Sequence, residues 1–238
     1  MAKTCMVLGP SGDGKSSAIV VNPDGIIDFD NYQGLDPETT VIFNADGKDL
    51  PFPYEKLGWK EGVNLFTSRF KKPLTADLIE QYLEKIDQGN KIKRVVIDTV
   101  NGSMNDKEML ETAKMTFDKW ADLAKDYYRL SVKANSMRPD LVIYFMGHTV
   151  LTTQQDSTEM RHLVTNGKKL EKIHLESKIP IVLHTEVELG QEGANVYKFE
   201  TQKNRSSGKS PIHMFKDFTI PNSLKLVDNT IRNYYGIQ

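Results

Sequence analysis

Residues 9–16 read Gly-Pro-Ser-Gly-Asp-Gly-Lys-Ser, and the spacing Gly9-x4-Gly14-Lys15-Ser16 is that of a loop able to hold phosphate. Glycines let successive backbone N–H groups turn toward one anion without Cβ clashes, and a helix opening after the loop adds partial positive charge. In such a loop Lys15 reaches the β- and γ-phosphates and the Ser16 hydroxyl coordinates Mg²⁺. Gly9, Pro10, Ser11, Gly12, Asp13, Gly14 and Ser17 complete the cradle. The chemistry implied is binding of ATP with Mg²⁺.

Phosphate loops work with acidic groups at neighbouring strand ends. "RVVIDTV" supplies Asp98, expected to hold Mg²⁺ through water together with Ser16. Asp46 closes "TTVIFNAD" and can orient or deprotonate an attacking water; its plainer reading is the Asp of an Asp-Gly turn. His148 closes "LVIYFMGH", where it can contact a γ-phosphate and report it to the segment that follows. All three stand at strand ends, and open α/β sheets collect their chemistry at the carboxyl edge.

The elements that must position these groups follow from periodicity. Apolar, β-branched runs at 4–9, 39–46, 63–68, 93–100 and 140–148 predict strands. Residues 75–89 predict a helix with Thr75 as N-cap and Gly89 as stop. A long helix is expected over 106–133, with Leu110, Ala113, Phe117, Trp120, Ala124, Tyr127 and Ser131 on one face. Residues 149–170 show no period and read as a surface loop. "IPIVLHTEVEL" and "NVYKFETQK" around "GQEGA" predict an antiparallel hairpin, and 222–235 a closing helix capped by Asn222 and stopped by Gly236. After the phosphate loop, Lys15 to Val21 allow two helical turns before Pro23, Asp24 and Gly25 break the helix; residues 20–34 form an excursion, with a small hairpin expected in it. The sum is one α/β domain over 1–238, with a mainly parallel sheet, helices on both faces and a late antiparallel hairpin at the edge.

Lys plus Arg (31) nearly balance Asp plus Glu (32), so the overall charge neither demands nor excludes a polyanionic partner. The single cysteine, Cys5, excludes an internal disulfide and predicts a buried thiol in a reducing compartment. No apolar run reaches the ~18 residues of a membrane span, and the first strand begins too early to leave room for a leader. A cytoplasmic protein is expected.

Taken together, "GPSGDGKSS", "ETTVIFNADGKDLPF", "RVVIDTVN", "LVIYFMGHT", "KFETQKNRSSGKSPIHMF" and "LKLVDNTIRNYYG" resemble phage-encoded AAA-family, RecA-like ATPases, the group that includes single-strand-annealing recombination proteins. The resemblance implies a RecA-like P-loop core and assembly as a ring or filament with ATP at subunit interfaces; slow ATP hydrolysis stimulated by single-stranded DNA is expected because the 149–172 segment follows His148. It implies a role in phage recombination or replication, with a single-strand-binding protein as a further partner. It places Lys15, Ser16 and Asp98 at nucleotide and Mg²⁺ positions, Asp46 at an acidic position after the second core strand, and His148 at a polar sensor. Lys209 of "GKSP" matches a late basic position that reaches a neighbouring subunit's γ-phosphate, with Arg205 as its rival. Basic stretches at 91–94, 161–172 and 203–209 are the expected DNA contacts; the 149–172 segment has no aromatic residue to stack on bases, so backbone charge would carry the contact. The departure from the family is the excursion at 20–34, where a full helix is expected. A P-loop small-molecule or nucleotide kinase, and a nucleotide-dependent scaffold with negligible turnover, are the competing readings.

Overall fold

A computed structural model describes residues 1–111, 117–153, 159–165, 175–190 and 193–237. In strand β1 (Lys3–Leu8) successive side chains alternate between faces: Cys5 and Val7 enter one core, Met6 and Leu8 the other. A strand buried on both sides needs cover on both sides, and that requirement sets the architecture. The chain continues through β2 (Thr40–Asn44), β3 (Leu65–Thr67), helix α1 (Ala76–Gln88), β4 (Arg94–Asp98), α2 (Val100–Glu111) and α3 (Phe117–Ser136). It then runs through β5 (Val142–Gly147), β6 (Thr149–Thr153), β7 (Glu159–Leu163), β8 (Ile181–Leu189), β9 (Asn195–Glu200), β10 (Thr219–Pro221) and α4 (Leu224–Tyr235).

Eight strands form one sheet in the order β10-β9-β8-β1-β5-β4-β2-β3. From β8 to β3 every pairing is parallel, and β9 and β10 add antiparallel strands at the edge. The α1–α3 face packs Leu83, Tyr127 and Leu130 against Phe43, Ile97 and Phe145. The α4 face packs Leu224, Val227 and Ile231 with Trp59 and Leu35 against Val7, Val96 and Tyr144. The parallel strands β1, β2, β4, β5 and β8 therefore deliver their carboxyl ends to one edge, with β1 near the middle. Among the described residues, no helix is long and apolar enough to cross a membrane.

Several expectations hold. Thr75 caps α1, accepting from Leu78 N, and Gly236 ends α4 in the left-handed conformation at φ +65°. The strands near 4–9, 39–46, 63–68, 93–100 and 140–148 all form, as does the late antiparallel pair.

Four expectations are corrected. The single helix over 106–133 is two helices folded back on each other: Ser103 Oγ lies 2.8 Å from the Tyr127 hydroxyl, although 24 residues of straight helix would separate them by ~36 Å. Of the expected stripe, Ala113 and the side chains of Leu110, Phe117, Trp120 and Ala124 lie outside the described residues. The surface loop after β5 begins as an antiparallel hairpin, β6 with β7, Thr149 opposite Leu163. Its β6 side chains are exposed or half-buried, so no apolar alternation advertises it. In the excursion no strand forms; residues 22–34 are turns and irregular chain. The closing helix is capped by Ser223, which accepts from Leu226 N, and Asn222 is turned to another use.

Candidate functional site

Beyond β1 the chain must turn sharply over the sheet edge. Gly9 makes the close passage, since a Cβ there would come within 1.7 Å of Thr185 Oγ1 on β8. Gly12 and Gly14 have φ of +90° and +78°, in the region where other residues are strained. The Thr185 hydroxyl also donates to Asp13 Oδ2 at 3.2 Å, tying the loop to β8.

Lys15 curls back over this turn. Its ammonium donates to Gly9 O at 2.8 Å and Pro10 O at 2.6 Å, and lies 3.5 Å from His148 Nδ1. Burial lowers the Lys15 pKa, and Asp98, Asp13 and Asp46 push back toward the charged form. His148 is lowered as well, by burial first and then by the Lys15 cation, so a neutral imidazole faces the lysine near neutral pH.

Ser16 Oγ donates to Asp98 Oδ2 at 2.6 Å, joining the loop to the end of β4. The other carboxylate oxygen, Asp98 Oδ1, is buried and has no hydrogen-bond partner among the described residues. Burial, with Asp46 nearby, raises the Asp98 pKa to about 6 against the pull of Ser16 and Lys15. A buried acceptor left bare beside a serine hydroxyl is the donor set of a hard cation, so Ser16 and Asp98 fit Mg²⁺. Among the described residues no group of three or more His, Cys, Asp or Glu side chains is arranged to hold a metal ion.

Asp46 stands two residues beyond β2 and is held twice. Thr99 Oγ1 donates to Oδ1 at 2.6 Å and Lys48 Nζ lies 3.0 Å from Oδ2. Burial alone would raise its pKa; these two hydrogen bonds outweigh burial and hold it below the usual carboxylate value. Asp46 precedes Gly47 at φ +67°, as the turn reading expects, and it lines the same cavity as Lys15 and Asp98. That cavity encloses about 840 Å³ and runs from the phosphate loop to the β9–β10 edge. Its size falls within the ~300–1,000 Å³ of small-ligand pockets.

The helix expected after the loop is a single 3₁₀ turn, Ser17–Ile19, ending at Val20. A helix macrodipole therefore adds nothing of weight to the cradle; loop N–H groups and Lys15 carry it.

Lys209 is not brought to the cavity. Its backbone pairs with Val182 near the amino end of β8, its N–H donating to Val182 O at 2.9 Å. Arg205 is exposed at φ +48°, and its carbonyl accepts from Arg161 N of β7. Within the basic stretches, Lys93 pairs with Asp140 at 2.7 Å, Arg94 with Asp228 at 2.6 Å and Arg161 with Glu200 at 2.6 Å. Those cations are structural. Residues 166–172 of the central stretch lie outside the described residues.

Thr99, Lys48, Thr185 and Asn101 are functional candidates that motif reading missed. Asn101 accepts from His148 N at 2.7 Å and donates to Val164 O at 2.7 Å, clamping both stems of the β6–β7 hairpin. Thr99 and Asn101 flank the Asp98 strand end in sequence, which is the one signal that could have found them. No family model matches the chain, and no curated protein is significantly similar to it.

Proposed function

We propose that the chain binds ATP with Mg²⁺ and hydrolyses it, as a RecA-like P-loop ATPase of the phage recombination group. One observation carries this reading: Ser16 and Asp98 meet beneath the Lys15 cradle with one buried carboxylate oxygen free for a cation. Mg²⁺ bound there would neutralise charge on the β- and γ-phosphates.

The chain's own groups then divide the work. Loop N–H groups and Lys15 hold the phosphates and stabilise the charge that builds on the transferred group. Asp46, kept ionised by Thr99 and Lys48, accepts a hydrogen bond from the attacking water and aligns it; its low pKa suits orientation more than proton removal. Neutral His148 reads the γ-phosphate and, through its backbone bond to Asn101, passes the contact to the β6–β7 hairpin.

Strand order supports the RecA-like fold: the loop strand β1 and the acidic strand β4 are separated by the sensor strand β5, so all three ends converge on one ligand. Single-stranded DNA and self-assembly come from the resemblance. Lys203 and Arg205, exposed where β7 packs, are the basic groups placed for a backbone phosphate. Lys209, outside its own subunit's cavity, is kept for a neighbour's γ-phosphate.

The test is phosphate release from Mg·ATP by wild type and Lys15→Ala, with and without single-stranded DNA at low salt. Turnover that falls at least a hundredfold in the variant, and rises with DNA in the wild type, is expected. Wild-type turnover indifferent to Lys15→Ala overturns the ATPase reading, and indifference to DNA overturns the partner.

A further inference from the structure

A nucleotide is anionic at one end and carries a flat, largely apolar ring at the other. The cavity offers lining of both kinds. Lys15, Lys48 and His148 are among its polar residues, and Val21, Ile27, Tyr197 and Pro221 among its apolar and aromatic ones.

Part of the apolar lining comes from the chain that follows the short 3₁₀ turn after the phosphate loop. Past Val20 the chain turns, with Gly25 N donating to Asn22 O at 2.9 Å and Asn22 N to Ile26 O at 2.8 Å. The turn lays Gly25 against β10, where an added Cβ would sit 3.1 Å from Pro221 Cβ. The excursion thus meets β10 and supplies part of the cavity lining through Val21, Asp24, Gly25 and Ile27. A continuous helix would instead carry the chain away at ~1.5 Å per residue.

Two side chains of this lining point to a ligand. A Cβ on Gly14 would stand 3.0 Å from the Tyr197 ring, so the ring lies directly beside the phosphate loop, with 38% of the residue exposed. Asn222, 3% exposed, donates through Nδ2 to Gly14 O at 3.1 Å. Asn222 lines the cavity, and its Oδ1 is buried and has no partner among the described residues. A buried acceptor held in place by one bond and bare at the other atom is ready to receive a donor.

We propose that the excursion and the β9–β10 edge form a nucleobase subsite. Tyr197 offers the stacking face, Val21, Ile27 and Pro221 the apolar walls, and Asn222 Oδ1 accepts from an N–H or O–H of the nucleoside. The proposal rests on the nucleotide-binding reading and assigns to the excursion a role in selecting the organic half of the ligand.

Calorimetric affinities for ATP and for inorganic tripolyphosphate test it, on wild type, Tyr197→Ala, Tyr197→Phe and Ile27→Ser. Base–aromatic stacking and apolar contact predict that wild type prefers ATP by about tenfold or more. Tyr197→Ala should lose about tenfold for ATP and nothing for tripolyphosphate, Tyr197→Phe should keep wild-type values, and Ile27→Ser should lose a few-fold for ATP alone. Equal affinity of the wild type for the two ligands, or an equal effect of Tyr197→Ala on both, overturns the subsite and leaves the phosphate cradle standing. Failure to bind either ligand overturns the nucleotide reading itself, and the subsite with it.

Discussion

Strand β4 meets a buried carboxylate at each end, Asp228 of α4 at one and its own Asp98 at the other, and the two are treated in opposite ways. At its amino end Arg94 donates to Asp228, which is fully buried and also receives Arg232 Nε at 2.9 Å and the Tyr144 hydroxyl at 3.4 Å. At its carboxyl end Asp98, also buried, receives one hydroxyl on one oxygen and, among the described residues, nothing on the other. A carboxylate whose acceptor capacity is filled by cations holds the fold together. One left short costs stability, and such a cost is tolerated where a ligand completes the set. The contrast separates scaffold from site at the two ends of one five-residue strand.

The comparison can be broken in three ways. The largest effect is expected from Asp228→Ala, which leaves the Arg94 and Arg232 guanidinium groups without their shared anion. Urea unfolding should report a loss of ~3–5 kcal/mol. Loss near zero would mean that Asp228 does not hold the amino end.

Asp98→Asn should act in the opposite direction on the ligand-free protein. The Asp98 pKa stands at about 6, above its ordinary 3.8, so the folded state holds the proton more tightly than the unfolded state. Its ionisation therefore removes stability as pH rises from about 4 through 6. Above that window the variant should be more stable than wild type by up to ~3 kcal/mol, with the gain vanishing below about pH 4. A destabilised variant at pH 7.5 would contradict the unfilled-carboxylate account.

The smallest effect concerns His184 on β8, whose Nδ1 has no partner among the described residues and whose pKa is pushed down to about 3 by burial and by Arg161. Unfolding lets it take up a proton below its ordinary value of 6.5, so stability is lost as pH falls through that value. Wild type should lose ~2 kcal/mol from this group between pH 7.5 and 5, and His184→Gln should lack that slope. Equal slopes in the two proteins would remove His184 from the account.

What the sequence disclosed follows the same division. The phosphate loop was legible because its glycines, lysine and serine have fixed spacing, and Asp98 because it ends an apolar run. The core strands followed from their apolar runs, and a mainly parallel sheet from their alternation with helices; the strand order did not. The helical hairpin was not legible: residues 103–137 contain no glycine or proline, so nothing local breaks the pattern. The β6–β7 hairpin lacks a buried face and hence a period. Asn222 read as a cap because its neighbour Ser223 competes for that role, and only the fold brings Asn222 to Gly14, 208 residues away. The truncated helix was visible as Pro23, Asp24 and Gly25. That the freed chain would wall a cavity depends on β10, which carries no signal of its own in three residues.

The most direct measurement is the increment that Mg²⁺ adds to ATP affinity, compared between wild type and Asp98→Asn by calorimetry at pH 7.5. The account predicts that Mg²⁺ tightens ATP binding in the wild type by about tenfold or more, and that Asp98→Asn keeps the Mg²⁺-free affinity while losing that gain. An undiminished gain in the variant would show that Asp98 does not serve the cation, and would contradict the site as drawn here.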